Sequence, residues 1–205
     1  MVDTSPDLLY GSAATWLDLM EYRYVFTYGY RKKLHRFTLS FYAEDFYHLA
    51  GLHYLDDISL PLYNRGKYPR KIFEGRIRYS DIVKSQYFAE YIEPRLKALS
   101  RLQDILENDF TLYEYHPELY SFTTTIDANY VIYSNIEAGN FVFFVKVDFD
   151  KSVDSNYLCK SIFEMDYHDF RQNQRSRALL KKEKVHIKDG TVSVLFNRLP
   201  PDNSF

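Results

Sequence analysis

The spacing of apolar positions divides the chain into a helical first half and a strand-rich second half. Over residues 5–22, Leu9, Ala13, Trp16, Leu17 and Met20 recur at helical spacing, with Ser5 placed to cap and Pro6 at the first helical position. Residues 23–30 and 34–42 alternate instead, predicting two strands joined as a hairpin through Arg31-Lys32-Lys33. Helical spacing returns over residues 43–52, where Phe46, Leu49, Ala50 and the following His53 fall on one stripe. Gly51 is placed to end that helix or to admit another backbone closely. Residues 60–68 carry Pro61, Asn64 and Gly66 and read as a loop. A short helix over 70–77 and another from Ser80 to Tyr91 follow, with a kink or restart expected at Pro94. Leu96, Leu99, Leu102, Ile105 and Leu106 carry the helical period on to Asn108.

Beyond that point alternation dominates. Strands are predicted over 110–115, 120–126, 129–135, 140–149 and 157–165, with a hairpin turn at Glu137-Ala138-Gly139. Residues 167–180 are polar and basic, helical or irregular. A second hairpin joins 183–187 to 191–196 across Lys188-Asp189-Gly190. Helices followed by an antiparallel meander predict an α+β fold, with N-terminal helices packed on one face of an antiparallel β-sheet. Residues 1–22 read as an accessory helix, 23–197 as the main domain and 198–205 as a frayed tail.

Composition narrows the function classes. An apolar share of 46% supports a real core, and twenty tyrosines suit half-buried sheet faces or the stacking of nucleic-acid bases. The single cysteine, Cys159, excludes a disulfide framework and a multi-cysteine zinc site, and its apolar strand argues against a reactive thiol. No signal-peptide pattern and no run of about 18 apolar residues occur, so a soluble cytoplasmic protein without membrane contact is expected. The net charge of −2 excludes a generally basic nucleic-acid coat protein. Basic residues nonetheless cluster at Arg31–Arg36, at Lys67, Arg70, Lys71, Arg76 and Arg78, and at Arg171, Arg175, Arg177, Lys181, Lys182 and Lys184. Such clusters present a local phosphate-binding surface or form ordinary solvated faces.

The chain has no HExxH, calcium loop, Walker or dinucleotide loop and no serine-hydrolase elbow, so neither metal nor cofactor is expected. On a continuous helix His48 and His53 would stand roughly 140° apart, which disfavours a shared metal. The residues that remain suit phosphodiester chemistry on RNA, where the 2′-hydroxyl is the nucleophile. The protein then supplies a base, an acid and donors for the charge on phosphate. His48, His53, Arg95, Ser161 and Gln174 are of the right types. Each also has an ordinary structural reading: a half-buried histidine bonded to a carbonyl, Arg95 paired with Glu93 or Asp81, Ser161 satisfying a buried carbonyl.

The stretch FYAEDFYHLAGLHYLDDI resembles the signature F-x-x-x-x-F-x-H-L-x-G-L of a phage-type nuclease group, the fourth, in the Barnase–EndoU–colicin–RelE-like superfamily. The resemblance continues in order through GRIRYSDIVKSQYF, IEPRLKALSRLQDIL, NYVIYSN, SIFEMDYHDFRQNQ and LLKKEK, covering residues 22–195. Ile162, where the pattern has an aromatic more often, is a departure. The resemblance implies a Barnase/RelE-like nuclease core and a metal-independent endoribonuclease of toxin type from a phage or mobile element. The expected partners are RNA and an antitoxin or immunity protein, in the cytoplasm of a bacterial host cell. Matched by position, His48, Arg95, Ser161 and Gln174 are the implied catalytic residues, and His53 falls at a more variable position. His53, Arg76, Arg78, Arg171, Arg175 and Lys181 are the expected RNA-binding residues. The alternative is an inactive nuclease-fold module of phage or mobile-element origin that binds protein or nucleic acid.

Overall fold

A computed structural model describes residues 7–137, 139–147 and 155–200. Its centre is a β-barrel. Strand β1 (Tyr22–Tyr30) forms an antiparallel hairpin with β2 (Lys33–Ser40), turning through Arg31 and Lys32, both at positive φ. The far edge of β2 pairs with β6 (Asn156–Glu164) in parallel, through Thr38, Leu39 and Ser40. From β6 the wall runs antiparallel through β5 (Asn140–Lys146), β4 (Tyr130–Ser134) and β3 (Thr111–Glu114) to β7 (Ser176–His186). Strand β7 then pairs with the remaining edge of β1, from Tyr22 opposite His186 to Gly29 opposite Ala178. The expectation of helices on one face of an open antiparallel sheet is therefore corrected. Seven strands close on themselves, one seam is parallel, and β1 has no free edge. Among the described residues, β8 (Val192–Asn197) is the one strand outside the ring, a hairpin flap on β7.

The inside of the ring is aromatic. Phe37 of β2 lies flat against Tyr130 of β4, with centroids 5.3 Å apart, although the two strands are not neighbours in the wall. Phe144 and Tyr157 also meet Phe37, and the Tyr28 and Tyr130 hydroxyls are hydrogen-bonded at 2.7 Å. These side chains fill the barrel as a packed core. A second cluster covers part of the opposite face, built on Val131, Phe141, Phe143, Tyr115 and Phe170. The segment 120–126, expected as a strand, forms no strand. It lies over this cluster, with the Tyr120 hydroxyl donating to the Phe170 carbonyl at 2.9 Å.

The helices pack against the same core. Helix α1 (Leu8–Leu19) is capped by Asp7, which accepts from the Tyr10 N–H at 2.8 Å; Ser5 and Pro6 lie outside the described residues. Its Leu9, Ala13, Trp16 and Leu19 are fully buried, and the Ser12 hydroxyl donates to the Leu96 carbonyl. There follow α2 (Asp45–Leu49), α3 (Tyr68–Phe73), α4 (Tyr79–Ile82), α5 (Glu93–Ser100) and α6 (Leu102–Glu107). Pro94 does mark a restart: a π-helical turn, Phe88–Ile92, runs directly into α5. The continuous helix expected from Ser80 to Tyr91 is broken after Ile82. No helix among the described residues is long and apolar enough to cross a membrane.

Candidate active site

Three segments build a narrow cleft of about 30 Å³, lined by His48, Leu49, His53, Tyr54, Arg95, Lys160, Ser161 and Ile162. That is space for one or two water-sized groups. Among these described lining residues there is no carboxylate, whereas two are imidazoles, one a guanidinium and one an ammonium.

The first wall is α2 and its exit. The helix lasts five residues because Gly51 turns left-handed, at φ 74°, its N–H donating to the His48 carbonyl at 3.0 Å. A 3₁₀ turn, Leu52–Tyr54, then folds His53 back over His48. Their rings stack at 4.5 Å between centroids, only 20° from parallel. The wide separation that a continuous helix would impose is thus removed by one glycine. Gly51 is also a packing requirement: a Cβ there would lie 3.0 Å from the Tyr91 carbonyl oxygen and 3.2 Å from Arg95 Cδ.

The second wall is the start of α5. Arg95 donates from Nη1 to the Tyr91 carbonyl at 2.5 Å, and its guanidinium lies 5.1 Å over the Tyr54 ring. Burial holds its pKa below the usual arginine range, against the opposing pull of Tyr54 and Tyr91. The third wall is β6, where the register slips. Ser161 faces Phe143 while Cys159 faces Phe144, so Lys160 is the extra residue of a β-bulge. The bulge brings the exposed Lys160 to the cleft instead of leaving it in a regular ladder. Cys159 beside it is buried, and desolvation pushes its thiol far up, in keeping with an unreactive cysteine.

These surroundings set the protonation of the histidines. Each histidine keeps one side open to solvent. Desolvation by the groups packed on the other side, first, and then the charges of Lys160, Arg95 and Arg65 drive His48 below its ordinary pKa. His53 is pushed down to about 4, again by desolvation first and then by His48, Arg95 and Arg65. Two stacked imidazoles beside cations are both neutral at physiological pH, which is the state a proton acceptor needs. One turn before His48, Asp45 moves the other way. Burial, and then its neighbour Glu44, raise its carboxyl to about 6, and its Oδ2 has no hydrogen-bond partner among the described residues.

Of the residues singled out in the sequence, the fold brings His48, His53, Arg95 and Ser161 to this cleft. Gln174 is not among the lining residues. Its side chain clamps the His116 backbone, Oε1 accepting from the N–H at 2.7 Å and Nε2 donating to the carbonyl at 3.1 Å. Arg76, Arg78 and Arg175 are exposed and do not line the cleft. Arg171 is tied to Asp169 and lies over Tyr133, and Lys181 pairs with Glu183 at 2.7 Å. Much of the third basic cluster is internal glue. Arg177 pairs with Glu114, Lys184 with Glu107, and the buried Lys182 donates to the carbonyls of Leu106, Glu107 and Asn108 at the end of α6. Lys160 and Tyr54 line the cleft without a motif or a periodic position in the sequence to mark them. The one trace of Lys160 is a basic residue between Cys159 and Ser161 in the predicted strand 157–165.

No curated protein matches the chain, and neither does any solved structure. A family model does, across residues 8–199. The chain belongs to the family described as phage-Barnase-EndoU-ColicinE5/D-RelE like nuclease4.

Proposed function

We propose that this member of a nuclease family is a metal-independent endoribonuclease of toxin type, acting on RNA through the 2′-hydroxyl. The observation that carries the reading is the donor set of the cleft: two neutral imidazoles beside a guanidinium and an ammonium, with no acid among the described lining residues. Such a site attracts a phosphodiester and repels nothing on it. His48 takes the proton of the 2′-hydroxyl as its oxygen attacks phosphorus. Arg95 and Lys160 stabilise the charge on the phosphoryl oxygens. The bond from phosphorus to the 5′-oxygen breaks, leaving a 2′,3′-cyclic phosphate, and Lys160 protonates the departing oxygen. Ser161 donates to a phosphoryl oxygen. Because the two imidazoles stack side by side, they cannot straddle the phosphorus as separate acid and base. Their mutual repulsion makes a second proton on the pair harder to add than the first. A toxin of this kind is paired with an antitoxin or immunity protein.

The test is incubation of total bacterial RNA and a tRNA pool in EDTA with wild type, His48→Ala and Lys160→Ala. Fragments ending in 2′,3′-cyclic phosphate are expected from the wild type. A loss of roughly 10²–10⁴-fold is expected in the His48 variant, the usual worth of a positioned base. A folded wild type that cleaves no RNA pool would sink this reading in favour of a non-catalytic binding module.

A further inference from the structure

We infer that the cleft takes a single-stranded stretch of RNA, with one unpaired base stacked at the Tyr91 end of a ladder of rings. The inference rests on the ribonuclease reading and adds the substrate class. From the candidate base outward, His48 stacks on His53, and His53 meets Tyr54 at 4.0 Å. Tyr54 stacks on Tyr91 at 4.9 Å and 27°, and Tyr87 meets Tyr91 at 6.2 Å. The ring chain inside the barrel is largely buried; this one is not. His53 is exposed, and Tyr54, Tyr87 and Tyr91 are only partly covered.

The ladder and the phosphate-binding cation form one unit. Arg95 lies over Tyr54 and is bonded to the backbone of Tyr91, so a phosphate held by Arg95 and Lys160 has the ring ladder beside it. Charge gives the site a direction. Lys160 and Arg65 add positive charge at the His48 end and Arg95 lies midway over Tyr54, whereas at the far end Glu90 stands beside Tyr91 and raises its hydroxyl's pKa. A strand therefore lays its phosphate against Arg95 and Lys160 and turns a base, not a second phosphate, toward Tyr91. Only an unpaired base has a face to offer, because the bases of a duplex are already stacked above and below.

The experiment measures binding of a fluorescent 2′-O-methyl oligoribonucleotide, whose blocked nucleophile prevents cleavage, to the full chain by anisotropy. Wild type should bind the single strand and bind the same sequence as a duplex much more weakly. Tyr91→Ala should weaken single-strand binding by about 5- to 150-fold, the effect of losing one base–aromatic stack. Tyr91→Phe should restore it, since the ring face and not the hydroxyl is used. Tyr91→Leu, which keeps bulk without an aromatic face, should behave as Ala and replaces it if the Ala variant does not fold. Unchanged affinity in the Ala or Leu variant, equal affinity for duplex, or no single-strand binding by wild type would overturn the inference. The all-ribose oligonucleotide separates the two claims. Tyr91-dependent binding without its cleavage would remove the nuclease chemistry and leave the base site standing.

Discussion

Replacing Gly51 by alanine tests the construction of the site with an internal control. Two terms oppose an alanine there. The left-handed backbone at φ 74° costs an L-residue about 1–2 kcal/mol. The added Cβ also meets the Tyr91 carbonyl oxygen at 3.0 Å and Arg95 Cδ at 3.2 Å, contacts tighter than van der Waals spacing. Backbone is hard to move, so about 1–3 kcal/mol more is expected from overpacking. Gly75 has nearly the same backbone, at φ 70°, and nothing within 4 Å of its would-be Cβ. Gly75→Ala therefore carries the backbone term alone. For a chain of this size each kcal/mol moves Tm by roughly 2–4 °C. Gly75→Ala should melt about 2–8 °C below wild type and Gly51→Ala about 4–20 °C below it. Thermal unfolding followed by circular dichroism gives both numbers. At a temperature where both variants are folded, Gly51→Ala should also lose RNA affinity, because the displaced groups are Arg95 and the backbone that holds it. Equal losses of Tm in the two variants would refute the packing argument and leave only backbone strain.

Further outcomes follow from the same geometry. The folded His53 binds its proton only near pH 4, against about 6.5 unfolded. Between those values the unfolded chain holds more protons, so this group makes stability fall as pH drops from 6.5 toward 4. His53→Phe should flatten that part of a Tm-versus-pH curve, and an unchanged slope would contradict the shift. Asp45 has the opposite sign: it holds its proton up to about pH 6 when folded, so its ionisation opposes folding as pH rises from about 4 through 6. Asp45→Asn should consequently raise Tm more at pH 8 than at pH 4; the same gain at both would count against a desolvated carboxylate with an unpartnered Oδ2. Gln174→Ala loses two hydrogen bonds to the His116 backbone, each worth about 0.5–1.5 kcal/mol. It should lower Tm and spare the catalytic rate at permissive temperature. Loss of cleavage with an unmoved Tm would instead place Gln174 at the reaction.

What could be read from the sequence was local. Arg31-Lys32 as a turn, the Lys188-Asp189-Gly190 hairpin and the restart at Pro94 all follow from short-range rules, and all are present. Closure of the barrel is not a short-range property. Alternation tells which face a strand buries but not whose edge it meets, and the deciding pairings join Thr38 to Asn156 and Tyr22 to His186. The first part of β7, residues 176–182, is hidden by its own composition, whereas 183–187 reads as a strand. A run ending in Lys181 and Lys182 reads as solvated surface, yet Lys182 is buried with carbonyls around its ammonium. At the site, His48, His53, Arg95 and Ser161 were legible as residue types. Their meeting depends on the left-handed turn at Gly51 and the bulge at Lys160, and neither leaves a periodic mark.

The seam between β1 and β7 has a consequence in time. About 150 residues separate the two edges, and at typical rates of synthesis the second follows the first by about 7–30 s. Until β6 is made both edges of the β1–β2 hairpin are unmatched, and until β7 follows one still is, exposed to mispairing with any extended segment nearby. The segments bearing His48 and Arg95 emerge early, but the Lys160 wall comes late and the edge that locks the ring comes later still. A product that stops before β6 therefore carries the histidines without the Lys160 wall of the cleft, and the ring that holds that wall closes only once β7 has been made.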